Sequence, residues 1–180
     1  MKASLFAGSS IAALGFAIFA ALLVCACVSD VQRRRIPNSV VALLAVTGVA
    51  YTAASSVTVG HALLISLGGL LLGLSLWAPL YIVRWLGAGD VKLFAAAGAW
   101  LGPARTLEGA FIGAFAGGVL AIVWMVVAYG LTATAATTTL VIANPRKIVN
   151  HGVDAKSRRA IPYGVALAIG AMAAAWLPLP

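Results

Sequence analysis

Six apolar stretches decide what this chain can fold into. They cover about Leu5–Val28, Ser39–Ala54, His61–Val83, Val91–Leu101, Leu107–Gly130 and Pro162–Leu177. Inside a bilayer no water is present to pair with backbone amides and carbonyls, so segments of this kind fold as α-helices. A full span needs about twenty residues; the fourth stretch is clearly short of that and the second slightly so. With 63% of its 180 residues hydrophobic and 9% charged, the chain is far too apolar for an ordinary soluble domain. The expected fold is therefore all-α: a polytopic membrane protein with six transmembrane helices, the fourth one short, and residues 1–180 forming one integral membrane domain. Leu131–Ala143, rich in Thr and Ala, either lengthens the fifth helix or lies at the surface.

The net charge of +8 does not point to nucleic acid, because no basic face with interleaved aromatic residues is present. The basic residues sit in the gaps between apolar runs, where charge fixes topology. With the N-terminus outside, Arg33, Arg34, Arg35, Arg84, Lys92, Arg146, Lys147, Lys156, Arg158 and Arg159 fall on the cytoplasmic side, and only Lys2 and Arg105 fall outside. That split satisfies the positive-inside rule and predicts a multi-pass protein of the cytoplasmic (inner) membrane with the N-terminus out. Lipids are the expected surroundings, with Arg33 to Arg35 anchored on anionic headgroups. Trp77, Tyr81, Trp85, Trp100 and Trp176 lie near predicted segment ends, as interface belts require. Lys2 and the run after it resemble a signal peptide, but the run is longer than a usual h-region, and a first transmembrane helix fits better. Cys25 and Cys27 lack the framework of a disulfide or metal site and read as small buried hydrophobes. His61 has no visible ligand partners, so no metal and no cofactor is expected.

Acids are scarce, and two of them are well placed. Asp90 lies in Leu86-Gly87-Ala88-Gly89-Asp90-Val91-Lys92-Leu93, between two apolar segments. An ionised Asp at a bilayer centre costs roughly 2.5–3.5 kcal/mol, so an acid in such a setting is a functional candidate. Gly87 and Gly89 permit a tight turn or a close backbone approach, and Asp90 then stands near a helix N-terminus, which favours a carboxylate. Asp30 is expected just after the first helix, at the same cytoplasmic depth, where the two acids can meet. Asp154 and Glu108 are expected in loops.

Two carboxylates held about 5 Å apart repel by roughly 3 kcal/mol at an effective dielectric near 20. One then keeps its proton while its partner ionises; the ionised group can activate water and the protonated one can donate to a carbonyl oxygen. Plain helix capping by Asp30 and Asp90 is the simplest alternative. A small ion-coupled transporter or a non-catalytic membrane assembly factor is another, since Gly-broken helices with membrane acids also build ion sites.

These residues resemble a known family. Gly87-Ala88-Gly89-Asp90 looks like the GxGD signature of the membrane aspartic peptidases that process type IV prepilins, and Asp30-Val31-Gln32-Arg33-Arg34-Arg35-Ile36-Pro37-Asn38 looks like their first motif. Ile161-Pro162-Tyr163-Gly164 is similar to their C-terminal Ile-Pro-(aromatic)-Gly segment. The resemblance implies that Asp30 and Asp90 are the catalytic pair. It also implies that the partner is a prepilin, whose leader peptide is cut on the cytoplasmic side, ahead of the pilin's hydrophobic helix. Ser29 before Asp30, and the absence of a Pro-Ala-Leu motif, separate the chain from presenilin-like relatives. It has no insertion with paired CxxC motifs, so it looks like the compact peptidases of Flp or Tad pili, or archaeal preflagellin peptidases, without N-methyltransferase activity. Val165 stands where the family often has a second Pro.

Site-shaping or substrate-binding roles are expected at Gly87, Gly89, Lys92, Pro37 and Asn38. Pro37 stops continuation from the Arg run and Asn38 is expected to cap the second helix. Lys92 lies two positions from Asp90 and so on a different helix face, which favours headgroup contact. Gly113, Gly117 and Gly118, with Ala114 and Ala121, give the fifth segment a small-residue face suited to close packing.

Overall fold

The computed structural model describes residues 10–56, 58–129 and 163–177. Among these, every regular element is an α-helix: α1 (Ser10–Arg33), α2 (Asn38–Ser55), α3 (Val59–Ile82), α4 (Ala88–Tyr129) and α5 (Tyr163–Trp176). Four stretches are long and apolar enough to cross a membrane, namely Ile11–Arg33, Asn38–Ser55, Val59–Ile82 and Ala88–Trp124, and α5 is a shorter apolar helix. The chain forms two compact units, residues 1–116 with 162–180, and residues 117–161. Apart from the end of α4 beyond Ala116, every helix lies in the first unit. Leu131–Ala143 and Asp154 lie outside the described residues.

The expected fourth and fifth segments are joined without a loop. Gly102 alone leaves helical conformation, at φ 69° and ψ 173°, and α4 kinks there into two limbs. Pro103 disfavours helical geometry in the residue before it, and the positive φ suits a residue without a Cβ. Pro103 itself, with no amide hydrogen to leave unpaired, starts the second limb. Thr106 Oγ1 donates to the Gly102 carbonyl at 2.7 Å, and Ser66 Oγ donates at 2.9 Å to the Ala99 carbonyl, the acceptor that Pro103, with no amide hydrogen, leaves unpaired. Glu108 consequently sits on a helix, partly buried, and not in a loop.

The shortness of the fourth segment has a physical reason. From Val91 to Leu101 every residue but Lys92 is buried, so this limb faces neighbouring helices on nearly all sides. A helix apolar all round belongs at the centre of a bundle. Glycines bring its partners close: Gly69 of α3 and Gly98 of α4 abut backbone to backbone, and a Cβ on Gly73 would lie 3.1 Å from the Phe94 carbonyl oxygen. The second limb meets α5 in the same way, through Gly109, Gly113 and Gly170. Among the expected small-residue positions, Gly113 does lie against Leu167, whereas Gly118 has open space around it and Ala114 is exposed.

Two tryptophans leave the expected interface belt. Trp100 is 1% exposed, because Gly48 leaves a notch for its indole. There its Nε1 donates to the Leu44 carbonyl at 2.7 Å, and its ring stacks on Tyr51 with centroids 5.1 Å apart. Trp77 is buried beside Phe94, whereas Tyr81, Trp85 and Trp176 are exposed. Arg105, expected as a loop charge, is also buried: its Nη1 donates to the carbonyls of Ala174, Ala175 and Leu177 at 3.0, 3.1 and 3.3 Å. Ala174 and Ala175 belong to the last turn of α5 and Leu177 follows it directly, where unpaired carbonyls and the helix dipole attract a cation.

Candidate active site

At the other end of the first limb, four chain segments converge. Asp30 lies on the last turn of α1, inside the helix and not after it, since α1 continues to Arg33. Arg34, with φ 51°, ends the helix in left-handed conformation, and its amide donates to the Asp30 carbonyl at 2.8 Å. Ser29 Oγ then donates to the Arg35 carbonyl at 3.1 Å, folding the Arg run back on the helix. The fold-back lets Ile36 pack on Gly89, where an added Cβ would lie 3.4 Å from Ile36 Cβ. Pro37, extended at φ −63° and ψ 132°, occupies the N-cap of α2. Its carbonyl accepts from the amides of Val40 and Val41 at 3.1 and 3.3 Å. Asn38 is therefore the first helical residue and not the cap.

Asp90 stands in the first turn of α4, and the Gly87 amide faces its carboxyl group. A Cβ on Gly87 would lie 3.1 Å from Asp90 Oδ2, so the glycine keeps the approach to this acid open. The fourth segment is the start of α5. A side chain begun at Gly164 would meet Asp30 Oδ2 at 2.8 Å, Asp90 Oδ1 at 3.1 Å and Ile36 Cδ1 at 3.2 Å. The two carboxyl oxygens are thus no more than about 6 Å apart, the sum of the first two distances. The Gly164 amide faces Asp30. Among the described residues Asp30 Oδ2 nonetheless has no hydrogen-bond partner, though it is buried, a costly state for a carboxyl oxygen.

The structure therefore brings together Asp30, Asp90, Gly87 and Gly89. Lys92 and Asn38 are exposed, and Pro37 shapes the turn from outside the cluster. Two residues at the convergence were not singled out from sequence, Ile36 and Gly164. Both lie inside motifs quoted above, but an aliphatic side chain and a bare Cα carry no titratable signal. Among the described residues no three His, Cys, Asp or Glu side chains group as metal ligands. Cys25 is exposed and Cys27 half-buried, so only the second approaches the expected burial.

A helical bundle with several membrane-length apolar helices, and two acids facing one another at the helix ends, defines the class: a polytopic membrane protein with a carboxyl pair. The type IV leader peptidase family model matches residues 17–122, more than half of the chain. This protein belongs to the type IV leader peptidase family, and that membership implies a peptidase. No match is found among curated proteins or among solved structures. Asp30, Ile36 and Asp90 fall within the matched residues; Gly164 lies beyond them.

Proposed function

We propose that this protein is an aspartic endopeptidase of the inner membrane that removes the N-terminal leader of Flp-like type IV prepilins. Asp30 and Asp90 act as a dyad at the cytoplasmic face. The observation that supports this reading is the convergence of both carboxyl groups on the bare Cα of Gly164. Two negative charges at about 6 Å repel by roughly 3 kcal/mol at an effective dielectric near 20, so the working pair holds one proton between two groups.

In the first step the ionised carboxylate takes a proton from water while the oxygen attacks the scissile carbonyl carbon. The protonated partner donates to the carbonyl oxygen, giving a neutral gem-diol. In the second step the carboxyl group that took the water proton donates it to the leaving nitrogen, its partner carboxylate takes a proton from a gem-diol hydroxyl, the C–N bond breaks, and the pair is again singly protonated. Water is the nucleophile, and no covalent enzyme intermediate forms. The position at helix ends suits the reaction, because water reaches a membrane surface more readily than a bilayer centre. The exposed Arg33, Arg34 and Arg35 hold this end against anionic headgroups. The pilin's apolar helix stays among lipid and the enzyme's outer helix faces, and the released pilin keeps an unmethylated N-terminus.

The test is cleavage of a synthetic Flp-type leader peptide by the purified protein in liposomes, with products identified by mass. Asp30→Asn and Asp90→Asn are each expected to lower turnover by at least about 100-fold, the lower end of what a positioned acid or base contributes. Wild-type turnover by either variant would overturn the dyad.

A further inference from the structure

The point where both acids meet is not a side chain but the absence of one. Gly164 opens α5, is itself buried, and is approached by Asp30 Oδ2, Asp90 Oδ1 and Ile36 Cδ1. A carbon 2.8 Å from a carboxyl oxygen is closer than real Cβ atoms come, so even a methyl group there must displace Asp30. Flexibility of φ does not explain the glycine, because Gly164 lies within the regular helix α5. What remains is space. Its amide also faces Asp30, whose Oδ2 is buried without a hydrogen-bond partner among the described residues.

We propose that Gly164 is a positioning residue of the peptidase: its bare Cα holds open the volume on which the two carboxyl groups converge. This deepens the dyad reading and rests on it. The start of α5 becomes a third wall of the site, which Asp30 on α1 and Asp90 on α4 cannot complete alone. A methyl group at this position misplaces the acids without removing them. Loss of alignment on the ångström scale lowers turnover by up to about 100-fold, while leader binding, made largely by other surfaces, changes little.

The decisive comparison uses the full chain in liposomes, with kcat and KM for the leader peptide and thermal unfolding measured in parallel. Gly164→Ala is expected to lose about 100-fold in kcat with less than a threefold change in KM. Gly109→Ala serves as the packing control: its added Cβ would lie 3.2 Å from both Ala174 Cβ and the Gly170 carbonyl oxygen, far along α5 from the acids. It is expected to unfold at lower temperature while keeping kcat within about threefold. Adding Ile36→Val to Gly164→Ala removes the Cδ1 contact but neither carboxyl contact, and the double variant is expected to stay as slow as Gly164→Ala. Restored turnover in that double variant would mean that the methyl acts by packing, and would overturn the proposal. So would a Gly164→Ala enzyme as fast as wild type, or an equal kcat loss in Gly109→Ala. If wild type itself cleaves no leader, the dyad reading fails first; if wild type cleaves and Gly164→Ala matches it, only the positioning role fails.

Discussion

The two ends of the central limb of α4 treat buried polar groups in opposite ways. Near Gly102 each one has a backbone acceptor: Arg105 reaches three carbonyls at the end of α5, Thr106 the Gly102 carbonyl, Ser66 the Ala99 carbonyl at 2.9 Å, and Trp100 that of Leu44. Near Asp90 two acids are drawn together and a buried oxygen of Asp30 is left without a donor. Satisfied polar groups at one end lock helices together. Toward the other end Asp30 Oδ2 and, beside Phe94, Trp77 Nε1 are buried without partners among the described residues, each at a cost of about 1–3 kcal/mol in a typical fold; the proposed dyad accounts for the first. Glycine follows the same division. Gly69, Gly98 and Gly170 lie against backbone atoms of neighbouring helices, whereas Gly164 lies against two carboxyl side chains.

This contrast is broken most forcefully at the acidic end. Asp30→Asn or Asp90→Asn is expected to lose turnover by 100-fold or more while the unfolding temperature stays level, since the neutral amide takes the place of the acid that already carries the pair's proton. A large fall in unfolding temperature for either variant would make that acid a structural one. At the packed end the signs reverse. Gly69→Ala forces a methyl against the Gly98 carbonyl and is expected to cost about 2–3 kcal/mol of stability. Arg105→Leu, which strips the last turn of α5 of its cation, is expected to cost about 2 kcal/mol, with turnover of the folded fraction kept within a few-fold. Trp100→Phe keeps the ring and loses only the indole hydrogen bond, for about 1 kcal/mol. Denaturant unfolding in mild detergent measures all three, and a kcat loss larger than the stability loss in any of them would erase the division between the two ends.

Apolar runs and charge gaps were enough to read the helices, because lipid leaves a segment few alternatives. Ser39–Ala54 and Asn38–Ser55, or Pro162–Leu177 and Tyr163–Trp176, differ by a residue or so at each end. Differences at helix ends share one cause: a charge or a Gly-Pro pair interrupts the hydropathy pattern without ending the helix. Asp30 and the Arg run interrupt hydropathy but not backbone hydrogen bonding, so α1 continues to Arg33. Gly102-Pro103 looks like a loop, yet a single residue with positive φ suffices to bend the chain. Arg105 has the composition of a surface charge, and only the position of α5 shows that carbonyls await it. Asp30 and Asp90 were visible as acids where acids are expensive. Gly164 was not, since nothing in a one-dimensional string says that a glycine stands opposite two carboxyl groups contributed by other helices.

The most direct test of the central claim is a double-mutant cycle on leader cleavage, with wild type, Asp30→Asn, Asp90→Asn and the double variant compared in one liposome assay. Residues that act as one unit are not additive in their losses. The pair described here predicts that the double variant is no slower than either single one. Losses that multiply, or one single variant that still cleaves at the wild-type rate, would show that Asp30 and Asp90 work apart and would contradict the account.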